Sequence, residues 1–127
     1  MLDNVTFEYA IIRLVPKVER EEFFNIGVIL FSKQKKFLGI KYCIDPKKLA
    51  AFSSEIDIAE VESYLKAWKS VCQGNPTGGI IEKMEVSDRF RWLAASKSTI
   101  LQCSKTHSGL CTNPKETLEG LFELFVL

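Results

Sequence analysis

The sequence predicts an α+β fold, an antiparallel and hairpin-rich sheet packed against helices on one face, and three observations carry that reading. Its strand-like apolar runs lie almost entirely ahead of Asp45, its helical stripes lie mostly after it, and a short polar loop joins two of the early runs. Strands first and helices later describe a sheet with helical cover better than they describe an alternating βαβ chain. No internal repeat, low-complexity segment or linker interrupts the 127 residues, so a single domain over residues 1–127 is expected.

Phe7 to Val15 begins with alternation and becomes nearly continuous apolar, as a strand entering a core does, and Pro16 ends it. Phe24 to Phe31 and Phe37 to Ile44 are rich in β-prone residues, and the lysine-rich stretch between them, Ser32 to Lys36, predicts a hairpin. Gly27, early in the second strand, marks a bulge or a close approach of backbones. Asp45-Pro46 opens a short helix ending near Phe52, because aspartate suits the N-cap and proline the first helical position. A longer helix follows Asp57, with Ile58, Val61, Leu65, Trp68 and Cys72 on one stripe, and Gly74 to Gly79 stops it. Ser87 to Ala95 fits a helical face better than an alternating one, and Thr99 to Cys103 is a short β-prone run. Ser108-Gly109 makes Lys105 to Cys111 a loop. Asn113-Pro-Lys-Glu116 matches N-cap, N1 and N3, and Leu118, Leu121, Phe122 and Phe125 give the stripe of a final docked helix.

Composition narrows the function classes. With 46% hydrophobic and 26% charged residues the chain is an ordinary globular one. A formal net charge of +1 supplies no global field for gripping nucleic acid or an anionic membrane. Nucleic-acid binding would need a local patch, for which Lys33, Lys35, Lys36, Lys47 and Lys48 are the candidates. No apolar run approaches the ~20 residues that span a bilayer. The N-terminal residues carry no secretory signal, and the four cysteines contain no C-x-x-C pair, which suits reduced thiols in the cytoplasm. Nothing in the pattern fixes an oligomeric state.

No catalytic motif names a reaction. Cys103, His107 and Cys111 have the side chains that zinc prefers, with Cys43 or Cys72 as a fourth ligand, but they lack the tight knuckles of structural zinc sites. Ordinary core thiols explain them better, so neither a metal nor a cofactor is expected. A thiol nucleophile paired with His107, the only histidine, rests on residue types alone. No phosphate loop is present, and the carboxylates form no convergent acid-base pair. The pattern with most chemical content is Arg89-Phe90-Arg91-Trp92, since guanidinium groups beside aromatic planes suit phosphate, carboxylate or base recognition. Ser98, Thr99, His107 and Ser108 follow closely and can add hydroxyl and imidazole donors, with Asn25 a further polar candidate beside Gly27.

Tyr9 to Pro16, Glu22 to Val28 with its Asn25-Ile-Gly27, Arg89 to Leu93, Ser96-x-Ser98-Thr99 and His107-Ser-Gly-Leu110 together resemble the bacterial domain-of-unknown-function family 3037 over nearly the whole chain. The resemblance implies no established activity. It implies a small protein often encoded beside a kinase-like protein resembling the HipA toxins, and so a possible partner. The residues that carry it are also the polar candidates Asn25, Arg89, Arg91, Ser98, Thr99, His107 and Ser108. Two expectations compete: a non-enzymatic binding or accessory module using Arg89, Arg91 and His107, or an enzyme on a phosphorylated or nucleic-acid substrate. In the second, His107 is the acid or base and Arg89 and Arg91 clamp the anion.

Overall fold

The computed structural model describes residues 4–16, 20–52, 56–95 and 100–127. Its elements run β1 (Val5–Leu14), β2 (Phe24–Ser32), β3 (Phe37–Tyr42), α1 (Pro46–Phe52), α2 (Ile58–Gln73), a 3-10 turn (Ile81–Lys83), α3 (Val86–Ala94), β4 (Leu101–Cys103), β5 (His107–Cys111) and α4 (Pro114–Phe125). All pairings among the five strands are antiparallel, in the order β3-β2-β1-β4. β5 also pairs with β1, so β4 and β5 lie end to end along the same side of it.

Local chemistry sets the boundaries as expected. The Asp45, Asp57 and Asn113 side chains accept from backbone N–H groups of the first turns of α1, α2 and α4. That satisfies donors a helix start otherwise leaves unpaired. The hairpin turns at Lys33–Lys36, and a β-bulge falls at Ile26, where Ile12 faces Gly27 and Arg13 faces Asn25. A Cβ on Gly27 would stand 2.8 Å from the Lys41 carbonyl oxygen and 2.9 Å from Tyr42 Cβ, so the close approach of β3 requires glycine there.

Two expectations need correction. The α+β class and the antiparallel sheet are as read, but the helical cover is two-sided. Ala10, Ile12, Leu14, Ile29 and Phe31 pack with Leu49 of α1, Val61, Leu65 and Trp68 of α2, and Phe90 and Leu93 of α3. Val5, Phe7, Val28 and Leu30 pack with Leu118 and Phe122 of α4 in a separate cluster. Alternation sends neighbouring residues of β1 and β2 to opposite faces, so α4 covers the face that α2 and α3 leave. A strand whose consecutive residues Ile26 to Leu30 are all buried cannot have one bare face.

The second correction concerns residues 105–111, where His107–Cys111 is a strand and not a loop. Gly109 does not turn the chain. It lies flat against the Phe7 ring, whose carbons would stand 2.9 Å from an added Cβ. β4 passes into β5 at Ser104, whose N–H donates to the Ile11 carbonyl while its hydroxyl accepts from the Ile11 N–H.

Candidate functional site

The helix that carries the arginine pair holds three consecutive residues in three different settings. Phe90 is fully buried and stacks on Phe31 of β2 with ring centroids 5.2 Å apart. Arg89 turns towards the end of α2, where Nη1 donates to the Val71 and Cys72 carbonyls at 2.7 and 2.8 Å and Nε donates to the Met84 carbonyl at 3.1 Å. It therefore satisfies carbonyls that the last turn of α2 leaves open, which is a structural duty. Arg91 emerges on the other flank of Phe90, exposed, and has no hydrogen-bond or ion-pair partner among the described residues.

Arg91 borders an open cleft of about 410 Å³ between α3 and the sheet, lined with it by Thr6, Glu8, Phe31, Lys33, Ser87 and Ser108. Ser108 faces Glu8 across the β1–β5 pair, and Leu110 faces Thr6. Two cations and one carboxylate make the cleft mildly positive, and hydroxyls from three elements line it. Glu8, Thr6 and Ser87 were not among the residues singled out in sequence, and Lys33 was singled out only as part of a lysine patch for nucleic acid. Lys33 reads as a solvated hairpin residue, and only the fold brings it beside α3.

His107 is elsewhere. It faces Tyr9 across the sheet, with ring centroids 5.3 Å apart, and Tyr9 stacks in turn with Phe125 of α4 at 6.1 Å. Adjacent residues of a strand point to opposite faces, so the sheet stands between His107 and the cleft that holds Ser108 and Arg91. Asn25 lies on the His107 face, its amide Nδ2 donating to the Phe125 carbonyl at 3.3 Å. Beside it Arg13, another residue that the sequence reading passed over, rests over the Phe23 ring at 4.1 Å. Its signal was a lone charge in the apolar run Ala10 to Val15. Arg13 Nε and Asn25 Oδ1 are buried with no hydrogen-bond partner among the described residues, and Asn25 lines a separate open cleft with Phe23, Lys48 and Phe125.

The expected single polar site therefore separates: Arg91 and Ser108 share a cleft, Arg89 caps α2, and His107 and Asn25 lie on the other face. Ser98 and Thr99 fall outside the described residues. No arrangement joins His107 to either arginine. The lysine patch also divides, since Lys33 to Lys36 form the hairpin turn and Lys47 and Lys48 follow the far end of β3, roughly 20 Å of strand away.

Cys72, Cys103 and Cys111 behave as core thiols, whereas Cys43 is exposed. Cys103 donates to the Leu93 carbonyl at 3.4 Å on the α3 face, whereas Cys111 packs in the α4 cluster. Burial pushes the Cys72 and Cys103 thiols from 9.0 up to about 12, with Arg89 and Arg13 respectively pulling the other way. At pH 8 a thiol with that value is roughly one part in ten thousand thiolate, the reactive form. Iodoacetamide on the native protein is expected to label exposed Cys43 first, with Cys72 and Cys103 modified only after denaturation, as mapped by peptide mass spectrometry. Among the described residues no group of three or more His, Cys, Asp or Glu side chains could hold a metal, and no helix is long and apolar enough to cross a membrane.

This geometry defines a small α+β protein whose sheet is helix-covered on both faces and opens at one rim into a polar cleft. The chain belongs to DUF3037, a family of proteins of unknown function, whose profile matches residues 9–126. No match was found among curated proteins or among solved structures.

Proposed function

We propose that this chain is a non-enzymatic binding or accessory module that contacts a partner protein through the polar surface around Arg91 and Ser108. One observation carries the reading. Arg91 is a guanidinium with no partner among the described residues, at the rim of an open cleft lined by Lys33, Ser87 and Ser108. Arginine is a preferred anchor of protein interfaces, because its fork pairs with carboxylates and its plane stacks on neighbouring groups. Catalysis has less support, since the one histidine is on the opposite face and the cleft holds a single carboxylate, Glu8. The reading takes the protein to act in the bacterial cytoplasm, and the first partner to test is a HipA-like kinase encoded beside it.

Affinity purification of the tagged protein from its native cell, beside Arg91→Ala, tests this. The wild type is expected to retain a stoichiometric protein partner. Arg91→Ala should recover at least about tenfold less of it while melting at the same temperature, as for a central interface residue. Undiminished recovery by Arg91→Ala, or loss on His107→Ala alone, would overturn the assignment.

A further inference from the structure

We infer that β5 takes up an extended segment of the partner as an added antiparallel strand, and that this segment carries an apolar residue and, two positions on, an acidic one. The inference rests on the binding-module reading and adds how and what the module binds.

Backbone direction comes first. The Val15 N–H donates to the Ile100 carbonyl and the Ser104 N–H to the Ile11 carbonyl, so the odd-numbered residues of β1 aim their peptide groups at the β4–β5 side. Alternation along β1 extends this to Tyr9, Phe7 and Val5, whose partners are His107, Gly109 and Cys111. Ser108 and Leu110 therefore point their N–H and C=O groups away from β1. β5 pairs only with β1 among the described strands, so these groups form a free edge.

Natural sheets usually block such an edge with lysine, proline or an inward-pointing charge. His107-Ser-Gly-Leu-Cys111 has no lysine, proline or carboxylate. It instead presents Leu110, 67% exposed. At the far edge of the sheet β3 has α2 and α4 packed along it, and β4, end to end with β5, packs against α3.

Side-chain chemistry then selects the occupant. Ser108 and Leu110 share the face of the cleft, and Ser108 lines that cleft with Arg91 and Lys33. On an antiparallel added strand, the residue opposite Leu110 precedes by two the residue opposite Ser108. The first meets an exposed leucine. The second comes within the field of two cations opposed by the one carboxylate of Glu8. An apolar-x-acidic segment complements both, with main-chain hydrogen bonds supplying the affinity and the two side chains the selectivity.

The probe is a capped peptide, threonine-valine-leucine-threonine-glutamate-valine-threonine, titrated at millimolar concentration into the nitrogen-15-labelled protein. Amide shifts are expected at Ser108, Leu110 and the flank of α3 bearing Arg91, about tenfold weaker with lysine in place of glutamate. They should be lost in Leu110→Pro, which removes an outward N–H and leaves the β1 ladder intact. Absence of shifts at β5, or equal shifts with the lysine peptide, would overturn the inference. So would a wild-type dimer that Leu110→Pro dissociates, since a second copy would then own the edge. The two proposals also fail separately: a native partner retained by Leu110→Pro but lost by Arg91→Ala preserves the binding module and removes strand addition.

Discussion

Phe90→Ala is expected to lower stability by about 3–5 kcal/mol, the usual cost of truncating a fully enclosed aromatic side chain. Phe90 is 0% exposed and stacks on Phe31 at 5.2 Å with an interplanar angle of 21°, so its ring fixes α3 to the sheet. Leu65, Leu93 and Leu101 of the same core cluster are themselves fully or almost fully enclosed, which leaves little freedom to collapse into the hole. The midpoint of urea unfolding should fall at an unchanged slope. Partner binding should fall with it, because the cleft exists only while α3 holds Arg91 and Ser87 against the β1–β5 rim.

Arg89→Ala, one residue earlier, should cost about 2–3 kcal/mol and lower the melting temperature by roughly 10 °C. Its three hydrogen bonds to the Val71, Cys72 and Met84 carbonyls are made by a charged donor, and those carbonyls would be left without it at a half-buried helix end. Gly74 crowds the same guanidinium, since a Cβ built there would stand 2.8 Å from Nη1. Arg89→Lys should recover only part of the loss, because an ammonium lacks the fork that reaches two sites at once. The contrast with Arg91 is the informative part. Arg91→Ala should leave thermal unfolding unchanged, so the two arginines separate cleanly by assay: one supports the fold, the other is the proposed partner contact.

That contrast also explains what the sequence could and could not convey. The stripe Val61, Leu65, Trp68 and Cys72, the hairpin around Lys33 to Lys36 and the cap at Asn113 were all legible, because each is a local rule with little competition. Arg89 and Arg91 looked like a pair because they are close in sequence. On a helix, residues two apart point about 200° from each other, so the helical assignment already argued against a shared site. His107 and Ser108 likewise looked like one polar loop. Once Gly109 is understood as making room for the Phe7 ring, the segment becomes a strand and its two polar residues divide between faces. The two-sided helical cover was written in the unbroken run Gly27 to Phe31, which has no polar position to turn towards water. Lys33 and Glu8 could not be assigned to the cleft, since contacts between distant segments leave no local pattern.

The central claim is that the rim formed by β5 and α3 is the binding surface. Hydrogen exchange of the protein alone and in complex with its co-purified partner tests it most directly, by mass spectrometry of peptides along the chain. The account predicts slowed exchange at Ser108 and Leu110, whose outward amides have no strand partner among the described residues, and along the part of α3 bearing Ser87 and Arg91. Protection confined to the opposite face, at Asn25 and the C-terminal turn of α4, would contradict it.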